Sequence, residues 1–324
     1  MSKPIEDKVE KIPVLNVIMR LLKKIKLPGF EGLSMYDLLE LYGMGILKGA
    51  LSTRASAIAF SFFTAIFPFL LFVIIVIPHI PIQNFDLAFS NFLESFLPPQ
   101  TSEFFFDTIF KDISGSTSGG LISSVFLLSV FLMANGVNSV FAGFETSYHK
   151  QLSRNIFRQY GIALGVALIL AFLSLLTVAV FGYFQIYVIR PLYTSFTGDV
   201  MIVEGGEVSG WIYFVKYLFF VFMIYLATAT LYYFGTKEGK QSKFFSVGAL
   251  LTTLLTILTS YLFGVYIENF SQYNEIYGSI GALLILLLYL WLNSNILLLG
   301  YELNASLQYL RKNPKAKKEI LPLE

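Results

Sequence analysis

The sequence predicts an all-α, polytopic membrane protein with six transmembrane helices and short interfacial amphipathic helices beside them. Three observations carry that expectation. The 324 residues are 56% hydrophobic and 17% aromatic but only 14% charged, with a mean hydropathy of +0.68, whereas a soluble chain carries about 25% charge. Six stretches reach the length of about 20 apolar residues that crosses a hydrocarbon core. Lys and Arg gather in alternate connections, the pattern that sets membrane orientation.

The elements follow in order. Residues 1–54 form a basic amphipathic N-terminal segment. Within it, 13–27 sets Val14, Val17, Ile18, Leu21, Leu22 and Ile25 against Arg20, Lys23, Lys24 and Lys26. That is a helix suited either to an anionic leaflet or to a partner protein. Residues 36–48 suggest a second interfacial helix. No cleavable signal is expected, because the segment before the first span is too long and no short apolar region with a small-residue cleavage site follows. The six-helix domain is 55–309, with spans at 55–80, 120–142, 160–187, 211–234, 244–267 and 276–309. The long connection 81–119 carries two aromatic, acidic amphipathic stretches, 85–97 and 103–113, separated by Pro98 and Pro99. These fold back on the membrane or pack on the helix ends. Residues 310–324 form a basic tail.

Orientation comes from charge. The segment 1–55 holds nine Lys and Arg, the connections 143–158 and 235–243 three each, and the tail from 309 five. The other connections hold only Lys111 and Arg190. Both termini are therefore expected in the cytoplasm, beside anionic lipid headgroups.

Composition excludes several chemistries. There are no cysteines, so disulfides, thiolate metal sites and Cys nucleophiles are excluded. The two histidines, His79 and His149, fall on opposite sides of the membrane by this topology. No metal site and no cofactor is expected. The run from Gly235 to Lys240 has one residue too few between its glycines for a phosphate-binding loop, so no ATPase is encoded. A net charge of +2 gives no reason to expect a nucleic-acid partner.

Polar groups inside the spans are costly in hydrocarbon and mark candidate sites. Span one opens with Ser52, Thr53 and Arg54 and carries Ser56, Ser61, Thr64 and a mid-span Pro68, which kinks a helix and frees a carbonyl. Asn135, Asn138 and Glu145 in span two lie at spacings that share one helical face. Span six opens with Gly278 and Gly281, a spacing that permits close helix approach. It then carries Asn293, Ser294 and Asn295 in mid-membrane, and Gly300, Glu302 and Asn304 near its cytoplasmic end. Arg54, Glu145 and Glu302 fall at similar depth, so an ion-pair cluster among them is expected, either pinning spans one, two and six or gating a headgroup site. The asparagines either bond between helices or line a polar path.

These residues carry a resemblance. The run Arg54-Ala-Ser-Ala-Ile-Ala-Phe-Ser-Phe-Phe-Thr-Ala-Ile-Phe-Pro68 resembles the first-span motif of the YihY/BrkB family. Asn135-Gly-Val-Asn138 through Tyr148 is similar to that family's second-span ending. Ile276-Tyr-Gly-Ser-Ile-Gly281 and Leu290-Trp291-Leu-Asn-Ser-Asn-Ile-Leu-Leu-Leu-Gly300-Tyr-Glu302-Leu-Asn304-Ala resemble its C-terminal signature. The match covers about residues 45–310. Tyr301 stands where the family usually has a small residue, and Tyr289-Leu-Trp291 replaces the usual aromatic order. The resemblance implies a bacterial inner-membrane protein with six spans and cytoplasmic termini. Members were long labelled as a ribonuclease, others as virulence or serum-resistance factors, and some are tied genetically to export of lipid A precursors.

The ribonuclease label fails on this sequence, which lacks a cluster of His, Asp or Glu metal ligands on a soluble face. No enzyme activity is expected. The favoured function is a transporter or flippase moving a lipid or other amphipathic substrate. The alternatives are a small-solute channel through Asn135, Asn138, Asn293 and Asn295, and a non-transporting scaffold or assembly factor. In the transport readings, replacing Glu302 or Arg54 is expected to abolish activity. A homo-oligomer, through span six or otherwise, and an unidentified membrane partner both stay open.

Overall fold

A backbone inside hydrocarbon has no water to bond, so each apolar stretch closes its own hydrogen bonds as a helix. The computed structural model describes residues 21–25, 34–36, 50–76, 119–145, 155–183, 210–237, 239, 243–270 and 279–312. They contain six long helices: α1 (Ala50–Val76), α2 (Gly119–Glu145), α3 (Ile156–Tyr183), α4 (Gly210–Gly235), α5 (Val247–Phe270) and α6 (Ser279–Lys312). All six are long and apolar enough to cross a membrane.

The helix bounds differ from the sequence expectation by a few residues, for local reasons. Helix α1 starts at Ala50 rather than 55, because Ser52, Thr53 and Arg54 continue the helix and the arginine finds its partners from there. Helix α3 starts at Ile156, where Asn155 caps it by accepting the Phe157 amide on its Oδ1 at 3.3 Å. Helix α5 starts at Val247 rather than 244, because the Ser246 hydroxyl accepts the Ala249 amide at 3.3 Å. The 34 residues of α6 span about 51 Å at 1.5 Å per residue, well beyond a hydrocarbon core of about 30 Å.

The helices pack in chain order: α1 on α2, α2 on α3, α3 on α4, α4 on α5 and α5 on α6, with α6 returning to α1. The result is a closed ring. Helix α2 also reaches across to α4 and α6. Short apolar and small side chains fill the seams, among them Ala55 and Ile58 of α1, Val137 and Val140 of α2, and Ala163, Ala167 and Ala171 of α3. Between apolar helices in lipid the attraction is close packing and interhelical hydrogen bonds, so such residues suit the seams. Pro68 is buried in mid-α1.

Burial is uneven along the ring. The starts of α1, α3 and α5 and the ends of α2, α4 and α6 meet at one end, called here the basic end. There α4, α5 and α6 bury Thr228 to Tyr232, then Gly248, Ala249, Thr252 and Thr253, and Ile296 to Leu298. Towards the other end, no side chain described between 214 and 222, 254 and 267, or 283 and 293 is buried.

The interfacial helices expected at 36–48, 85–97 and 103–113 lie outside the described residues, save Tyr36. Of 13–27, residues 21–24 are helical, with Leu21 and Ile25 exposed. The Lys23 ammonium lies 4.8 Å over the Tyr36 ring.

Candidate functional site

The polar residues of the basic end are assembled from all six helices. Arg54 projects from the first turns of α1 between α2 and α6. Its Nη1 donates to the Gly143 carbonyl at 3.0 Å and its Nη2 to Glu302 Oε1 at 2.9 Å. The two side chains are 14% and 10% exposed, so water screens the pair poorly. This single guanidinium ties together the three helices on which the ring closes. Glu145, half-buried, is the last residue of α2, two positions beyond Gly143.

Next to the ion pair lies an aromatic knot. The Phe144 ring stacks on Tyr301 with centroids 4.1 Å apart. Tyr232 of α4 meets both edge-on, at 5.6 and 5.8 Å. The Tyr232 hydroxyl donates to the Leu297 carbonyl at 2.6 Å. Its one proton is thereby used, so the Thr252 hydroxyl, also 2.6 Å away, is the donor in their mutual bond. Tyr301 donates to Thr236 Oγ1 at 3.2 Å, and Thr236 Oγ1 also accepts the Gly239 amide at 3.1 Å.

Helices α5 and α6 touch backbone to backbone beside this knot. A Cβ on Gly300 would overlap the Thr252 hydroxyl and come within 2.6 Å of the Tyr232 hydroxyl and 2.7 Å of the Gly248 carbonyl. Only glycine permits that approach. It brings Asn304 onto the start of α5, where its Oδ1 accepts the Gly248 amide at 2.8 Å and its Nδ2 donates to Ser246 Oγ at 2.8 Å. One asparagine of α6 thus helps cap its neighbour, satisfying amides a helix start leaves open.

The asparagines divide among separate seams. Asn138 Oδ1 accepts from Gln159 of α3 at 3.1 Å, and Asn135 Oδ1 from the Tyr160 hydroxyl at 2.8 Å. Asn293 and Asn295 donate to carbonyls of their own helix, Tyr289 at 3.0 Å and Trp291 at 2.7 Å. The hydrogen bonds of the two pairs run to different places: one pair fastens α2 to α3, the other bends back on α6. Gly281 is buried in α6 and Gly278 lies outside the described residues.

The sequence singled out Arg54, Glu302, Gly300 and Asn304 but not Phe144, Tyr232, Thr236, Ser246, Gly248 or Thr252. Tyr301 was visible only as a departure from a pattern. An unusual aromatic next to a buried acid was the available signal. A Tyr among the apolar residues of α4 gave none.

Chemically, this layer locks. Its donors meet acceptors, its rings interleave and its one described ion pair is enclosed. Among the described residues no group of three or more His, Asp or Glu is placed to hold a metal.

Comparison with known proteins agrees with this architecture. The chain is 26% identical over 266 residues to the ribonuclease-like protein YfkH of Bacillus subtilis, covering 81% of this chain and 92% of that one. It is also 26% identical over 255 residues to a UPF0761 membrane protein of Coxiella burnetii, covering 76% and 84%. A UPF0761 membrane protein of Xanthomonas oryzae pv. oryzae is 44% identical over 69 residues, which cover 21% of this chain and 16% of that one. No solved structure is a significant match. The model of the family described as Virulence factor BrkB matches residues 45–321, which take in all six helices and every residue of the basic-end layer, and this six-span integral membrane protein belongs to that family.

Proposed function

We propose that the protein is a transporter of the flippase type, moving a lipid or other amphipathic substrate across a bacterial inner membrane without an ATPase of its own. The basic end faces the cytoplasm in this proposal, since Lys and Arg concentrate in the connections on that side. They would gather anionic headgroups of that leaflet.

The observation that carries the reading is the asymmetry of the ring. One end is fastened by the Arg54–Glu302 pair and the Tyr232–Tyr301–Phe144 knot, while towards the other end the described residues of α4, α5 and α6 are scarcely buried. A gate needs interactions that are specific and breakable, and a charged pair at the seam where the ring closes has both properties. Asn135 and Asn138 at the α2–α3 seam, with Asn293 and Asn295 bonded within α6, do not favour a channel through all four. The ribonuclease-like name of the Bacillus relative is not carried over, because the described residues offer no ligand cluster for a catalytic metal.

The geometry alters the expected effect of mutating the pair. A locking interaction that is weakened opens more often, so loss of Glu302 speeds passive movement rather than abolishing it. The test uses purified protein in phosphatidylethanolamine and phosphatidylglycerol vesicles containing a nitrobenzoxadiazole-labelled lipid, with dithionite added outside. Bleaching well past the outer-leaflet half, and faster with Glu302→Gln, supports the reading. Bleaching that stops at half for both proteins removes passive lipid movement and leaves the scaffold, for which a layer of mutually satisfied polar groups is equally suited.

A further inference from the structure

Among the described residues, one buried side-chain polar atom has no hydrogen-bond partner: Asn293 Oδ1. Its place in the fold is specific. On α6, Tyr289, Asn293, Gly300 and Asn304 share one helical face by their spacing. Three of them meet α5: Tyr289 through its hydroxyl, 2.7 Å from Ser260 Oγ, Gly300 against Thr252, and Asn304 at Gly248 and Ser246. Asn293 therefore lies in the α5–α6 seam between the Ser260–Tyr289 bond and the Thr252–Tyr232 knot. On α5, Thr252, Thr256 and Ser260 recur every four residues on the facing side, with Thr259 beside them.

Polar groups consequently mark this seam from Ser246 at the basic end to Ser260, 14 residues or about 21 Å further on at 1.5 Å per residue. That is more than half of a hydrocarbon core of about 30 Å. The two helices are only partly covered beside this seam: beyond Thr253 no described α5 residue up to 267 is buried, and none on α6 from 283 to 293. A hydroxyl-bearing seam with an unmet, buried acceptor along it has the wrong chemistry for acyl chains. It has the right chemistry for a group that brings N–H or O–H donors.

We propose that the α5–α6 seam is a hydrated track for a polar lipid headgroup, in which Asn293 Oδ1 accepts a hydrogen bond from a headgroup ammonium or hydroxyl. The track rests on the transport reading and gives it a route: the headgroup slides along the seam while the acyl chains stay in the bilayer. The basic-end knot of Thr252, Tyr232 and Gly300 closes the track at its cytoplasmic end.

The absence of cysteine makes the native chain a ready background for accessibility mapping. Asn293→Cys and Thr256→Cys are introduced singly, with Leu258→Cys as the control at similar depth on the exposed face of α5 and Lys243→Cys as the control outside the span. The reagent is a charged, membrane-impermeant methanethiosulfonate, applied to protein in the vesicles above. The track predicts that cysteines at 293 and 256 react within about tenfold of the one at 243 and at least about a hundredfold faster than the one at 258, since a charged reagent is excluded from hydrocarbon. Protection of both at the level of the 258 control overturns the track. Asn293→Leu then tests the acceptor. Retained thermal stability with bleaching of an ethanolamine-headgroup lipid slowed about tenfold, the effect of one lost hydrogen bond of about 1.4 kcal/mol in a barrier, supports it, and an unchanged rate overturns the acceptor role. Labelling at 293 and 256 in a protein whose wild-type form moves no lipid leaves the hydrated seam standing, but removes both the transport reading and the headgroup.

Discussion

Removal of the charge at Glu302 is the most informative perturbation of the fold, because the pair it forms with Arg54 sits where α6 returns to α1. The two side chains are 14% and 10% exposed and 2.9 Å apart. Breaking a buried pair from one side costs about 3–5 kcal/mol, most of it from the charge left behind. Arg54 retains its second bond, to the Gly143 carbonyl, so Glu302→Ala belongs at the lower end, about 3 kcal/mol. Arg54→Ala leaves a buried carboxylate and an unmet carbonyl and belongs higher. The double variant leaves no charge, and its cost falls short of the sum by a coupling of about 2–3 kcal/mol, within the range seen for residues in contact. At 1.4 kcal/mol per decade, that is a factor of roughly 30–150 in the unfolding equilibrium. The assay is reversible unfolding of the four proteins in mixed micelles of increasing sodium dodecyl sulfate fraction, followed by tryptophan fluorescence from Trp211 and Trp291. A coupling below about 0.5 kcal/mol, the scale of an exposed surface pair, would refute the argument and assign ring closure to apolar packing alone.

Three further outcomes follow from the same layer. Gly300→Ala drives a methyl into the Thr252 hydroxyl and the Gly248 carbonyl; it is expected to destabilise by about 1–3 kcal/mol despite alanine's better helix propensity, and a raised melting temperature in detergent would show that α5 and α6 are not so close. Asn304→Ala removes an acceptor from the Gly248 amide and is expected to cost about 0.5–2 kcal/mol, with faster amide hydrogen exchange confined to the first turn of α5. Tyr301→Phe loses the hydroxyl bond to Thr236, about 0.5–1.5 kcal/mol, whereas Tyr301→Ala also loses the stack on Phe144, about 3–5 kcal/mol in all; equal costs in the same unfolding assay would deny the ring its role.

Much of the fold was legible because hydrocarbon enforces it. A stretch of apolar residues long enough to span has one solution, a helix, so six helices could be counted from composition and length. Their ends were less legible, since a Ser246 or an Asn155 cap acts through single hydrogen bonds that hydropathy does not register. The pairing of Arg54 with Glu302 was suggested by depth alone: two opposite charges at one level of a membrane are costly apart. The partners of the asparagines were not legible. Asn135 and Asn293 look alike in sequence, yet one meets the tyrosine of a neighbouring helix and the other folds back on its own turn, and that difference depends on helix rotation. Tyr232 was hidden for the same reason, because one hydroxyl among apolar residues is informative only once Thr252 and the Leu297 carbonyl are known to lie opposite.

The position of the locked layer also bears on what kind of device the ring is. A scaffold is served by such a layer wherever it lies and does not require it at one end, since apolar seams hold helices together along their length in lipid. Movement of an amphipathic molecule requires the contrary: one end must hold firmly against the leaflet that supplies or receives the headgroup, and a side of the ring must be free to part. The basic end carries the ion pair and the aromatic knot together, and the lightly covered α5–α6 wall lies beyond it. On the transport reading, opening then breaks the Arg54–Glu302 contact and the Tyr232 hydroxyl bonds among others, while the α2–α3 wall, fastened by Asn135 and Asn138 to Tyr160 and Gln159, stays fixed. Variants at 135 and 138 should therefore lower stability without changing the rate of lipid movement per folded molecule, and variants at 54, 232 and 302 should change that rate. A rate that follows the α2–α3 bonds instead would place the moving wall on the opposite side of the ring.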